Sequence, residues 1–168
     1  MTAEPTQQRG IIGKIMTKLG PTPVGSWFIM NVYSRLDPPL LRLTKGRFCL
    51  SGLSGFPIGL LTTTGAKSGL ERRVTLLFVP DGENVVLIAS AAGSARHPGW
   101  FYNLKANPEA HLLYPGYTGS YIAREAEGEE RSRLWEKALA YYPGYDVYQK
   151  RAAGRQIPVM LLERQHAE

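Results

Sequence analysis

Residues 62–73 read Thr-Thr-Thr-Gly-Ala-Lys-Ser-Gly-Leu-Glu-Arg-Arg. Gly59-Leu60-Leu61 precedes this run and Val74-Thr75-Leu76-Leu77-Phe78-Val79 follows it. Two apolar, β-branched stretches joined by a glycine-bracketed polar turn specify a strand, a reversal and a second strand. Ala66 separates Gly65 from Lys67, so the lysine lacks the directly preceding glycine of a phosphate-binding P-loop. A strand rather than a helix follows, which argues against Walker-type ATPase chemistry. The turn can still aim backbone N–H groups, the Ser68 hydroxyl and the Lys67 cation at one place, as a phosphate or carboxylate requires. An ordinary surface hairpin explains the same spacing equally well.

Outward from this hairpin, the middle of the chain continues as β. Strands are expected over 59–64, 73–79 and 84–90, with Asp81-Gly82 turning between the last two. A helix over 98–107 starts on Pro98 and stops at Asn107-Pro108. Strands over 110–114 and 120–125 follow, then a helix over 129–142 with Leu134, Trp135, Ala138, Leu139 and Tyr142 on one face, then a strand over 157–163. On the N-terminal side, residues 1–9 are polar and expected to be disordered. Ile11, Ile12, Ile15, Met16 and Leu19 form an apolar stripe opposite Lys14 and Lys18. A second helix over 25–36 carries Trp27, Phe28, Met30 and Tyr33 and is expected to end at Pro38-Pro39. Short strands, tight turns and helices at the ends predict an antiparallel barrel with packed helices, not repeated βαβ units.

With 168 residues, 43% hydrophobic and 20% charged, the chain has the composition of one globular domain with a substantial core. A single cysteine, Cys49, fits a reducing cytoplasm, and no apolar run is long enough to span a bilayer. The histidines His97, His111 and His166 are scattered without metal-ligand spacing, so no metal is expected. Charge is uneven: residues 1–50 hold seven Lys/Arg against two acids, residues 51–168 thirteen against twelve. The basic excess thus sits at the N-terminus, where Ile11–Leu19 could either cap the core or lie on an anionic membrane. Nucleic acid is not an expected partner, because no aromatics are interleaved with the arm's basic residues.

Three further constellations could carry chemistry. Ser90-Ala91-Ala92-Gly93-Ser94 follows a strand, and its small side chains would let a flat ring approach the backbone. His97-Pro98-Gly99-Trp100-Phe101-Tyr102-Asn103 opens a helix whose N-terminus favours anions, with Trp100 and Asn103 on one face. Tyr142, Tyr145 and Tyr148 recur every third residue across Pro143-Gly144, as an aromatic wall or as plain packing. A phenol with a pKa near ~10 is a proton donor at neutral pH before it is a base.

Taken in order, 62–69, 98–108, Tyr142-Pro143-Gly144-Tyr145 and Ile157-Pro158-Val159 resemble the deazaflavin-dependent nitroreductase and quinone reductase family, over roughly residues 25–164. The resemblance implies an α+β, mainly β, split β-barrel of the flavin-reductase/FMN-binding-like type with N-terminal and flanking helices. Residues 1–24 would be a basic arm and 25–168 one domain. It implies hydride transfer from reduced coenzyme F-420 to flat hydrophobic acceptors: quinones, enones, unsaturated lactones or nitroaromatics. By resemblance, Ala66, Lys67, Ser68 and Arg72 hold the coenzyme's phosphate and ribityl chain. Arg73, Val74, Thr75, Leu76 and Leu77 on one strand, with Ile88, Ala89, Ser90 and Ala91 at the end of another, bracket the ring. Gly99, Trp100, Phe101, Tyr102 and Asn103 close the site. Tyr142, Tyr145, Tyr148 and Ser90 line the acceptor pocket and offer protons. The chain has Leu77 where some members have an aromatic, and Ala91 where some have a lysine. Two other readings stand beside this one: an FMN-binding split-barrel oxidoreductase, and a non-enzymatic basic module at a membrane surface. The expected state is a cytoplasmic monomer, with contact to the inner face of the plasma membrane as an addition.

Overall fold

The computed structural model describes residues 10–45, 47–114 and 117–166, with the side chains of Ile29, Met30 and Ser34 excepted. The expected disorder of 1–9 lies outside the described residues. Seven strands form one antiparallel sheet: β1 (Ile58–Thr64), β2 (Glu71–Leu77), β3 (Val79–Asp81), β4 (Asn84–Ile88), β5 (Glu109–Tyr114), β6 (Tyr117–Glu125) and β7 (Val159–Arg164). Their spatial order is β2-β1-β5-β6-β7-β4-β3. The outermost strands, β2 and β3, are therefore separated in the chain by Phe78 alone. A sheet whose two edges are joined by one residue must roll up, and it does so as the expected split barrel.

The single strand expected over 73–79 is thus two strands on opposite edges. Phe78 N–H leaves the ladder to bond Pro57 O at 3.0 Å, while its ring is buried in the barrel. Period-two alternation sorts the other strands onto two faces. Val85, Leu87, Met160 and Leu162 point into the barrel with Leu61, Leu112 and Tyr121, and Phe101 and Leu104 of α4 (Gly99–Ala106) plug one end. Val86, Ile88, Val159 and Leu161 point outward against α5 (Gly128–Tyr141) and α6 (Gly144–Arg151).

The N-terminal segment is helical from α1 (Ile11–Leu19) through α2 (Pro23–Phe28), a π-helical stretch (Ile29–Tyr33) and α3 (Ser34–Leu43). The boundary expected between 24 and 25 falls inside α2. Pro38 and Pro39 do not end the helix as expected; they lie within α3. Each proline forgoes one helical hydrogen bond. Burial of Asp37 and Leu41, both fully enclosed, holds the helix on course regardless. The Asp37 carboxylate accepts Leu50 N–H at 2.8 Å and Ser51 N–H at 3.3 Å, which ties α3 to the segment leading into β1.

The outer side of this segment is bare. Among the described residues, eleven of the fourteen exposed large hydrophobic side chains fall between Ile11 and Leu53. They include Ile11 at 79%, Trp27 at 62% and Leu43 at 81% exposure, values that put most of each residue in solvent.

Candidate functional site

Beneath the N-terminal helices lies an apolar cavity of 280 Å³. Its floor is β2, where Val74 and Leu76 face the barrel and Thr75 and Leu77 the opposite side. Ile88, Ser90 and Ala91 close one flank and Trp100 another. Tyr142, Tyr145 and Tyr148 form the expected aromatic wall, because Tyr142 ends α5 and the other two stand three apart on one face of α6. Their rings pack edge to face, Tyr142 on Tyr145 at 5.2 Å and on Phe56 at 5.4 Å. The roof is supplied by residues that sequence reading did not assign to the site: Met16 of α1, Tyr33 of the π-helical stretch, Asp37 of α3, and Ser51, Ser54 and Phe56.

The three phenols are not equivalent. Tyr148 Oη donates to Gly20 O at 3.0 Å, so its single proton is committed there. The 3.3 Å contact between Tyr142 and Tyr148 must then run from Tyr142 as donor. The Tyr145 hydroxyl engages no hydrogen-bond partner among the described residues, and its side chain lines the cavity. Burial, with a smaller contribution from Tyr148, raises its pKa well above that of a free phenol, so it stays protonated at neutral pH. The Thr75 hydroxyl is also buried, without a hydrogen-bond partner among the described residues. An orphaned hydroxyl in the wall of an apolar cavity suits a flat heterocycle carrying polar edge atoms.

Next to this cavity runs a groove of 570 Å³ lined by Arg72, Arg73, Arg96, His97, Ser94 and Asn103 among others. The two spaces share Val74, Ala91, Pro98 and Trp100 as common wall. Asn103 fastens the hairpin turn to α4: its amide donates to Thr63 Oγ1 at 3.1 Å and its oxygen accepts Ala66 N–H at 3.0 Å. The turn closes on itself through Gly65 N–H to Leu70 O, with Gly69 in the left-handed region at φ 66°. Ser68 Oγ is engaged inside that turn by Leu70 N–H and Arg72. The start of α4 has no side-chain cap, and Gly99 opens on the groove. His97 is held below the ordinary histidine pKa by desolvation and then by the Arg155 cation, so it is neutral near pH 7.

Most of the expected site residues therefore converge on these two spaces. Ala66, Lys67 and Ser68 lie exposed on the turn beyond them. Ala89 and Phe101 point into the barrel core instead, and Tyr102 is half-exposed against the His97 ring. The loop after β4 holds two consecutive non-glycine residues in the left-handed region, Ala91 at φ 46° and Ala92 at φ 54°. Each such residue costs about 1–3 kcal/mol and persists only where its surroundings dictate it. No cluster of three His, Cys, Asp or Glu side chains fit to hold a metal occurs among the described residues.

A cationic groove running into an apolar, tyrosine-walled cavity is fit for a ligand with an anionic tail and a flat head. Comparison with known proteins gives that fit a chemistry. A model of the F420H(2)-dependent quinone reductase family matches residues 35–164. An F420H(2)-dependent quinone reductase of Mycobacterium tuberculosis is 34% identical over 133 residues, covering 77% of this chain and 89% of its own length. Among experimental structures, an F420-H2 dependent reductase (FDR-A) is 42% identical with a TM-score of 0.59, covering 64% of this chain and 94% of that one. Another, described as a domain-swapped dimer, is 37% identical with a TM-score of 0.61, covering 75% and 95%. The chain belongs to the F420H(2)-dependent quinone reductase family.

Proposed function

We propose that the protein reduces a flat, hydrophobic acceptor of the quinone or enone class in the 280 Å³ cavity, with Tyr145 as the proton donor. When bound, reduced coenzyme F-420 supplies a hydride. Arg72, Arg73 and Arg96 would hold the coenzyme's anionic tail, helped by the uncapped N-terminus of α4. Exposed pairs contribute only ~0.2–1 kcal/mol each, so several cations must act together. Thr75 and the backbone around Ser90 and Ala91 would meet the polar edge of the ring. The tyrosine wall orients the acceptor over that ring and excludes water. An acceptor oxygen that gains electron density takes its proton from Tyr145 Oη, and solvent replaces it. The carrying observation is that, of the three phenols in the tyrosine wall, Tyr145 is the one whose proton no other group engages among the described residues.

Family membership sets aside the reading of a non-enzymatic basic module and favours F-420 over FMN. The bare apolar face between Ile11 and Leu53 is interspersed with Lys14, Lys18, Arg35, Arg42, Lys45 and Arg47, and the sole acid of residues 10–50, Asp37, is buried. We assign that face to an anionic membrane surface, where a lipid-soluble quinone would enter beneath the helices.

Titration with F-420 and FMN in parallel should show binding of the deazaflavin only. Tyr145→Phe should leave F-420 affinity within about twofold and lower turnover of a quinone about 10²-fold, the usual share of a positioned acid. A Tyr145→Phe enzyme that turns over normally would remove the proton-donor role.

A further inference from the structure

The strained loop after β4 is gripped by arginines that no sequence pattern marks. The Arg155 guanidinium donates to four sites on it: Ala89 O at 3.3 Å, Ser90 O at 3.0 Å, Ser94 O at 2.8 Å and His97 Nδ1 at 2.9 Å. From α6, Arg151 reaches Ala92 O at 3.3 Å and bonds Pro21 O and Ser26 Oγ of the N-terminal segment. Neither arginine forms an ion pair among the described residues; carbonyl oxygens, His97 Nδ1 and Ser26 Oγ take their donors. Arg155 is itself held in place, because Gln149 donates to Arg155 O at 2.8 Å and accepts Ile157 N–H at 2.9 Å.

The loop cannot relax toward α6 either. A Cβ on Gly93, whose φ is 80°, would stand 2.9 Å from Tyr148 O and 2.9 Å from Arg151 Cβ. Three successive left-handed residues, Ala91, Ala92 and Gly93, are thus pressed between α6 and a fan of guanidinium hydrogen bonds. A conformation this unfavourable for alanine is held by what surrounds it, and such strain concentrates at sites that need a preset backbone. The same loop contributes Ser90 and Ala91 to the cavity and Ala91 and Ser94 to the groove, so its shape sets both at once. By accepting from Arg155, His97 Nδ1 is fixed as the unprotonated ring nitrogen, which leaves Nε2 as the donor.

We propose that Arg155 is a positioning residue: it holds the 89–94 backbone in the shape that receives the coenzyme, and it touches neither coenzyme nor acceptor. This rests on the F-420 reading given above. A conservative lysine keeps the charge but can reach only part of the fan, because it lacks the planar fork.

The test compares the wild type with Arg155→Lys and Arg155→Lys/Ala92→Gly. Thermal melting, F-420 titration and amide hydrogen exchange in coenzyme-free protein are measured for each. Arg155→Lys should fold, exchange the amides of residues 91–94 at least tenfold faster with the strands unchanged, and weaken F-420 binding at least tenfold. Its acceptor KM at saturating coenzyme should stay within twofold. Adding Ala92→Gly relieves the left-handed strain and should recover at least threefold of the lost affinity. Arg155→Lys binding within twofold of a wild type that does bind would overturn the proposal and leave the function standing. A wild type that binds no F-420 would overturn the function itself. Loss of the whole melting transition in Arg155→Lys would also overturn the proposal, since Arg155 would then support the barrel as a whole.

Discussion

At the scale of single residues, direction of hydrogen bonding separates groups that look alike. Tyr142, Tyr145 and Tyr148 are indistinguishable in a string of letters, and only Gly20 O, 128 residues away in sequence, fixes which proton is engaged. His97 offers a second check. Desolvation first, then Arg155, lowers its folded pKa, while Glu125 opposes them; the rings of Phe101 and Tyr102 pack against it. In the unfolded chain it titrates near ~6.5, so as pH falls the unfolded state takes up the proton first. Stability should therefore drop as pH passes below ~6.5 and level off under the folded value. Melting temperatures of the wild type and His97→Gln between pH 5 and 7.5 check this, since the variant should lose part of the slope; equal slopes would refute it. The anchoring residues were the least legible. Arg151, Arg155 and Asp37 have no spacing signature, because their partners are backbone atoms brought up by distant turns.

Among elements, those with strict periodicity were the readable ones. Most strands and the helices α4 and α5 lie within two residues of expectation at either end, since alternation and capping signals are local. Three elements were not legible, the first being α6, since no helix was expected between 142 and 157. The run 73–79 shows one β pattern, yet Phe78 divides it between opposite edges of the sheet, a choice made by barrel closure. The Pro38-Pro39 pair signals a helix end, and tertiary burial of Asp37 and Leu41 overrides it. Phe78 is where this reasoning can be measured. It is 4% exposed and packs on Tyr114 with ring centroids 4.7 Å apart. Phe78→Ala should destabilise by about 3–5 kcal/mol in chemical denaturation, and Phe78→Leu by under about 1.5 kcal/mol. Equal losses would mean that the junction tolerates a void.

Over the whole molecule, the basic excess and the bare apolar side chains coincide on the N-terminal helices that roof the cavity. Composition alone revealed the charge asymmetry and the Ile11–Leu19 stripe; the contributions of Trp27, Leu36 and Leu43 became visible only once the helices were laid side by side. In sedimentation with vesicles containing phosphatidylglycerol, the protein should pellet at low salt and be partly released at 0.5 M salt. Ile15→Glu should abolish pelleting while leaving F-420 affinity within twofold. Retained pelleting by that variant would clear the face of this role. β7 occupies the interior of the sheet, between β6 and β4. During synthesis, then, the barrel waits for residues 159–164 to clear the ribosome, and every nascent chain stopped short of them presents two unmated strand edges to its neighbours.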